Sequence, residues 1–175
     1  MRKAFLRTIL LSLLLLASNG SFADFKYLDR GSNSWGKFAY GMAFVARGYT
    51  PGHAFVVWFK FDRNRAKFVE YEGYGLYPDN RKKAVFGTVP GNILKEFNIY
   101  PNNGLIIWVT KLMYKKSQNI TQTMKSRNVP YHFIKESCVD FVKSTASAIG
   151  LRTPSTSGLK NLPQRFISKL KEMNN

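Results

Sequence analysis

The chain has 175 residues, with 27 Lys and Arg against ten Asp and Glu, for a net charge of +17. A single cysteine excludes an internal disulfide, and two histidines with one cysteine, none at ligand spacing, exclude a metal set. The positive excess steers the chain toward anionic surfaces without naming one.

Taken in chain order, the N-terminus reads as an export signal. Met1-Arg2-Lys3 with Arg7 forms a charged start, Thr8 to Ala17 an apolar run, and Ser21-Phe22-Ala23 a cleavage site with small residues at its first and last positions. The apolar run is far short of the ~20 residues that span a bilayer. Residues 1–23 are therefore expected to be removed, with no transmembrane anchor afterwards and a periplasmic or secreted location. What remains, residues 24–175, is 152 residues long and keeps 24 Lys and Arg and all ten acids. That is one domain's worth of chain, long enough to bury a core.

Strands are expected first. Phe38 to Ala46 is one. His53-Ala54-Phe55-Val56-Val57-Trp58-Phe59-Lys60-Phe61 is the clearest, with Phe55, Val57, Phe59 and Phe61 on one face. Asp62 to Arg65 reads as a turn, with Ala66 to Tyr74 returning as the second arm of a hairpin. Ala84 to Val89 and Leu105 to Thr110 are further candidate strands.

Helices follow. Ser117 to Arg127 suits a polar helix, broken by Asn128-Val129-Pro130-Tyr131. Ser137 to Ile149 is amphipathic, with Cys138, Val142, Ala146 and Ile149 at helical spacing and Gly150 as its stop. Ser137-Cys138-Val139-Asp140 has the form of a capping box, so Cys138 falls in the first turn. After the loop of residues 153–158, Pro163 opens a last helix through Lys171, with Phe166, Ile167 and Leu170 inward.

A thiol in a helix's first turn feels unpaired N–H groups and the positive end of the macrodipole, both of which favour thiolate. A nucleophilic cysteine also needs a base. His53 begins the best strand directly after Pro51-Gly52, whereas His132 lies six residues before Cys138 and belongs to the approach segment. A third group would orient His53. If Phe61 pairs with Ala66, then Tyr74 lies opposite His53, Glu72 on the adjacent diagonal and Glu70 one step further, while a one-residue slip presents Tyr71. Glu72 is preferred, because a carboxylate both orients and stabilises an imidazolium.

These residues carry a family resemblance. Gly52-His53-Ala54-Phe55-Val56, then Tyr74-Gly75-Leu76-Tyr77-Pro78, then Ser137-Cys138-Val139-Asp140-Phe141-Val142 with Gly150-Leu151, resemble the circularly permuted papain-like proteins. That group includes NlpC-type cell-wall peptidases and relatives of lecithin retinol acyltransferase. The order His53 before Cys138 matches the permuted form, although Ser137 stands where many relatives have Asn. The resemblance implies an α+β fold, a small antiparallel sheet packed against the Cys138 helix. It also implies attack by Cys138 on a carbonyl with His53 as base and no cofactor. The third residue varies within that family, so Glu72 rests on the hairpin argument alone.

The expected activity is a thiol amidase or peptidase. Its expected partner is peptidoglycan stem peptide or another anionic envelope polymer, with Trp58, Tyr74 and Tyr77 as candidate groove residues. A lipid acyltransferase or esterase of the same fold is the alternative, and a non-catalytic basic surface-binding module is a third reading. Export and the lack of a nucleic-acid motif argue against a nucleic-acid partner.

Overall fold

A computed structural model of the chain describes residues 24–31, 36–48, 52–97, 101–159 and 162–175. The export signal of residues 1–23 and Pro51 of the Pro-Gly turn lie outside the described residues. Among the described residues the architecture is α+β, a mixed sheet of seven strands with four helices. The elements are β1 (Asp24–Asp29), β2 (Phe38–Arg47), β3 (His53–Asp62), β4 (Lys67–Pro78), α1 (Arg81–Phe86), β5 (Val89–Lys95), β6 (Asn103–Val109), α2 (Lys111–Ser126), β7 (Pro130–Tyr131), α3 (Cys138–Ala148) and α4 (Pro163–Met173). The strand order is β1-β6-β2-β3-β4-β5-β7. Neighbours run antiparallel except β1, which lies parallel to β6 at one edge. That pairing makes the sheet mixed rather than the antiparallel one expected.

β3 is central, and both of its faces are buried, which explains its nearly continuous apolar run. Ala54, Val56 and Trp58 face the same way as Met42, Phe44 and Ala46 of β2. They join one core with Tyr114 of α2, Val139, Phe141 and Val142 of α3, and Phe166, Ile167 and Leu170 of α4. Phe55, Val57, Phe59 and Phe61 form a second cluster on the opposite face with Ala43, Val45, Ile106 and Trp108.

Two of the expected elements form differently. Residues 84–89, read as a strand, instead close helix α1 and begin β5. Asn80 accounts for this, because its side chain accepts from Lys83 N at 3.0 Å and its carbonyl from Ala84 N at 3.0 Å, starting a helical turn that turns only Ala84 inward. The polar helix α2 starts at Lys111 rather than Ser117, because Thr110 caps it by accepting from Met113 N at 3.2 Å.

The helix that matters most forms as read. Ser137 caps α3, its hydroxyl accepting from Val139 N at 3.3 Å, while Asp140 Oδ2 accepts from Ser137 N at 2.9 Å. Such a cap stabilises a helix by about 1 kcal/mol. Gly150 ends the segment at φ +76°, a left-handed conformation that a side chain would strain. Among the described residues, no helix is long and apolar enough to cross a membrane.

Candidate active site

The hairpin register decides which side chains meet. The turn spans Arg63 to Ala66, with Ala66 at φ +49°, and β4 begins at Lys67. Asp62 closes it by accepting from Asn64 N and Arg65 N at 3.0 and 3.2 Å. A bulge between Lys60 and Phe61 shifts the ladder once more, so that Val56 lies across from Tyr74 and Trp58 across from Glu72. The expected register placed Tyr74 opposite His53. The observed one is displaced from it by three residues, and an odd displacement moves every side chain of β4 to the other face.

Glu72 is consequently not brought to His53. It accepts from Lys95 Nζ at 2.7 Å and from the Tyr74 hydroxyl at 3.3 Å, on the surface. Glu70 accepts from Tyr114 at 2.6 Å and Gln118 at 3.0 Å. Tyr71 is exposed. Of the groove candidates, Trp58 is buried and donates to Ser117 Oγ at 2.7 Å, and Tyr74 lies with the Lys125 ammonium 3.9 Å from its ring centroid. Tyr77 is different. The register carried to the strand end sets it across from His53, and the two rings stack with centroids 4.2 Å apart.

The group that does reach His53 is Glu96, one residue past β5. Glu96 N donates to Gly73 O at 2.9 Å, which fixes the backbone and turns the carboxylate inward. Its Oε1 meets His53 Nε2 at 3.0 Å and accepts from the Tyr77 hydroxyl at 2.7 Å, and its Oε2 pairs with Arg47 Nη2 at 2.7 Å. Arg47 Nη2 also donates to the Tyr77 oxygen at 2.9 Å. Each carboxylate oxygen thus has a partner, the condition under which a buried charge is tolerated. Gly75 is required beneath this pair, because a Cβ there would lie 2.4 Å from His53 Nε2 and 2.6 Å from Glu96 Oε1.

The thiol of Cys138 lies near enough to the imidazole to favour its charged form. Cys138 is free, buried and the first residue of α3, held there by the capping box behind it and by Val139 and Phe141 in the core. With Nε2 engaged by the carboxylate, Nδ1 is the nitrogen left for sulfur. Burial by itself lowers the His53 pKa, but hydrogen bonds and charge from Cys138 and Glu96 outweigh it and hold the imidazole above its ordinary 6.5. Burial raises the Glu96 pKa, and hydrogen bonds from His53 and Tyr77 with the charges of His53 and Arg47 reverse the effect, leaving it below 4.5. Burial and the adjacent Glu96 push the Tyr77 phenol up, so it stays a donor.

His132 stays outside the cluster, bridging Glu136 in the approach to α3 and accepting from Ile134 N at 3.1 Å. A cleft of about 600 Å³ opens beside the carboxylate, lined by Arg47, Tyr77, Arg81, Leu94, Lys95 and Phe97 together with Glu96. Sequence reasoning brought Cys138 and His53 together but missed Glu96 and Arg47. Glu96 lies 43 residues from His53 and in no local motif. Only the β4–β5 pairing of Tyr74 with Lys95 carries it to the site. No protein-family model, curated protein or solved structure matches this chain.

Proposed function

We propose that this chain is an exported cysteine hydrolase of permuted papain-like architecture that cuts an amide bond in peptidoglycan stem peptides. The observation that carries the reading is the buried Glu96 carboxylate bonded to the His53 imidazole, with the buried Cys138 thiol at the start of α3 acting on the same ring. In the first step His53 takes the thiol proton, and sulfur attacks the carbonyl carbon to form the C–S bond. The imidazolium then gives that proton to the leaving amine as the C–N bond breaks. Water, deprotonated by His53, cleaves the thioester and restores the thiol. Glu96 orients the ring and stabilises its charged form, while Tyr77 and Arg47 hold Glu96. The capping box engages the N–H groups of Ser137, Val139 and Asp140 and not that of Cys138, to which this reading gives the developing oxyanion.

The export signal and the excess of basic residues support a wall substrate. Mass spectra of purified peptidoglycan after digestion test it. Released peptides with wild-type protein, and none with Cys138→Ala, are expected; equal release by both would reject Cys138 as nucleophile and favour a basic surface-binding module. A second reading, acyl transfer from lipid esters by the same thiol, is favoured by the exposed Leu94 and Phe97 at the cleft. Fatty-acid release from lipid in place of peptide release distinguishes it.

A further inference from the structure

Exposed large apolar side chains are not scattered evenly over this molecule. Val85, Phe86, Leu94, Phe97 and Ile134 are all exposed, the two phenyl rings at 91% each. They are neighbours. Leu94, Phe97 and Arg81 line the cleft beside Glu96, and Val85 is a turn on from Arg81 along the same face of α1. Ile134 sits in the turn whose Phe133 N donates to Ala84 O at 3.1 Å.

α1 turns only Ala84 inward, so the core makes no use of Val85 or Phe86. The outward side chains of its first half are Arg81, Lys82 and Lys83. Of the acidic side chains nearby, Asp79 precedes the helix, Glu72 is engaged by Lys95, Glu96 is buried, Asp140 is engaged by Ser137 N in the cap of α3, and Glu136 closes the Ile134 turn. The surface therefore presents apolar tips beside three consecutive cations, next to the cleft that opens at Glu96. Clustered exposure of this kind marks an interaction site.

We infer that this face docks on an anionic phospholipid bilayer, with Phe86, Phe97 and Ile134 entering the headgroup boundary and Arg81, Lys82 and Lys83 contacting lipid phosphates. The partner must offer negative charge directly above an apolar layer, as such a bilayer does. A polysaccharide has no apolar layer to take the phenyl rings. A second copy would bring 24 Lys and Arg with only ten acids against the same cations. Docking is independent of the hydrolase reading. It holds the cleft at the membrane surface whichever bond is cut there.

Vesicle sedimentation tests it on residues 24–175, which contain every described element. The protein is expected to bind phosphatidylcholine vesicles containing phosphatidylglycerol, bind pure phosphatidylcholine weakly, and lose binding as salt rises. Phe86→Ser with Phe97→Ser should lower the partition coefficient about ten-fold or more. Arg81→Gln, Lys82→Gln and Lys83→Gln together should lower it several-fold on anionic vesicles only. Leu112→Ser, exposed on α2, should leave it unchanged, as should Cys138→Ala, which separates docking from the chemistry. Equal binding by the double Phe variant and its parent, or no binding by the parent, would overturn the inference. Self-association of the parent that the double variant loses, without vesicle binding, would overturn it in favour of a second copy.

Discussion

Strand β4 serves two polar clusters that share an inventory and differ in what they can do. Toward its start, Glu70 and Glu72 meet Tyr114, Gln118, Lys95 and Tyr74. Toward its end, Gly75 and Tyr77 frame Glu96 with Arg47 and His53. Each has carboxylate, phenol and cation. The Glu72 side chain is 40% exposed and pairs with a surface lysine, an arrangement that screening leaves weak, whereas the Glu96 side chain is 1% exposed with both oxygens engaged. Only the second cluster holds an imidazole, and one whose charged form a thiol also favours. Enclosure and register, rather than closeness along a strand, give a carboxylate its role.

The largest test of that contrast removes the space the second cluster needs. Gly75→Val forces its side chain into the His53–Glu96 hydrogen bond and should lower turnover about 10²-fold or more, since small misplacements of reacting groups cost that much. A kinetic assay on wall fragments reads it, with circular dichroism to confirm the fold. Next, Glu96→Gln keeps shape but loses the charge that stabilises the imidazolium, and should reduce kcat roughly ten-fold or more. Glu72→Gln should leave kcat unchanged. The reverse ranking would return the orienting role to Glu72. Tyr77→Phe removes one hydrogen bond to Glu96, about 1 kcal/mol, and should slow turnover roughly five-fold if that energy is felt in the transition state.

The smallest effect is on stability, and its sign differs between the two titrating groups. His53, raised above 6.5, contributes stability that is fully present below 6.5 and lost as pH rises through its folded value. Glu96, lowered below 4.5, contributes stability present above 4.5 and lost as pH falls through its folded value. The cluster is thus most stabilising between pH 4.5 and 6.5. Urea melts should show that window in wild type and a flattened profile in His53→Ala with Glu96→Gln.

The parts of this arrangement written in local chemistry were legible. The capping box, the spacing of Cys138, Val142 and Ala146 and the stop at Gly150 located α3, and the apolar run from Ala54 located β3. His53 and Cys138 emerged as partners because each begins its element. The rest depended on features with no local signature. Ala66 adopts positive φ although it is not glycine, and the bulge at Lys60 adds its own shift. Together they moved Glu72 away and brought Tyr77 in. β1 joins the sheet only at its edge, by parallel pairing with a strand far along the chain, and its sequence DFKYLD gave little sign of it. Glu96 gained its place through the β4–β5 pairing, which the misread of residues 84–89 as a strand had hidden.

The central claim is that one imidazole is shared between Cys138 and Glu96, and the NMR titration of His53 tests it most directly. Both partners favour the charged ring against the burial that opposes it, so the His53 pKa should fall in Cys138→Ala, fall in Glu96→Gln, and stay at its wild-type value in Glu72→Gln. A His53 titration unchanged by loss of either Cys138 or the Glu96 charge, or shifted by Glu72→Gln instead, would contradict it.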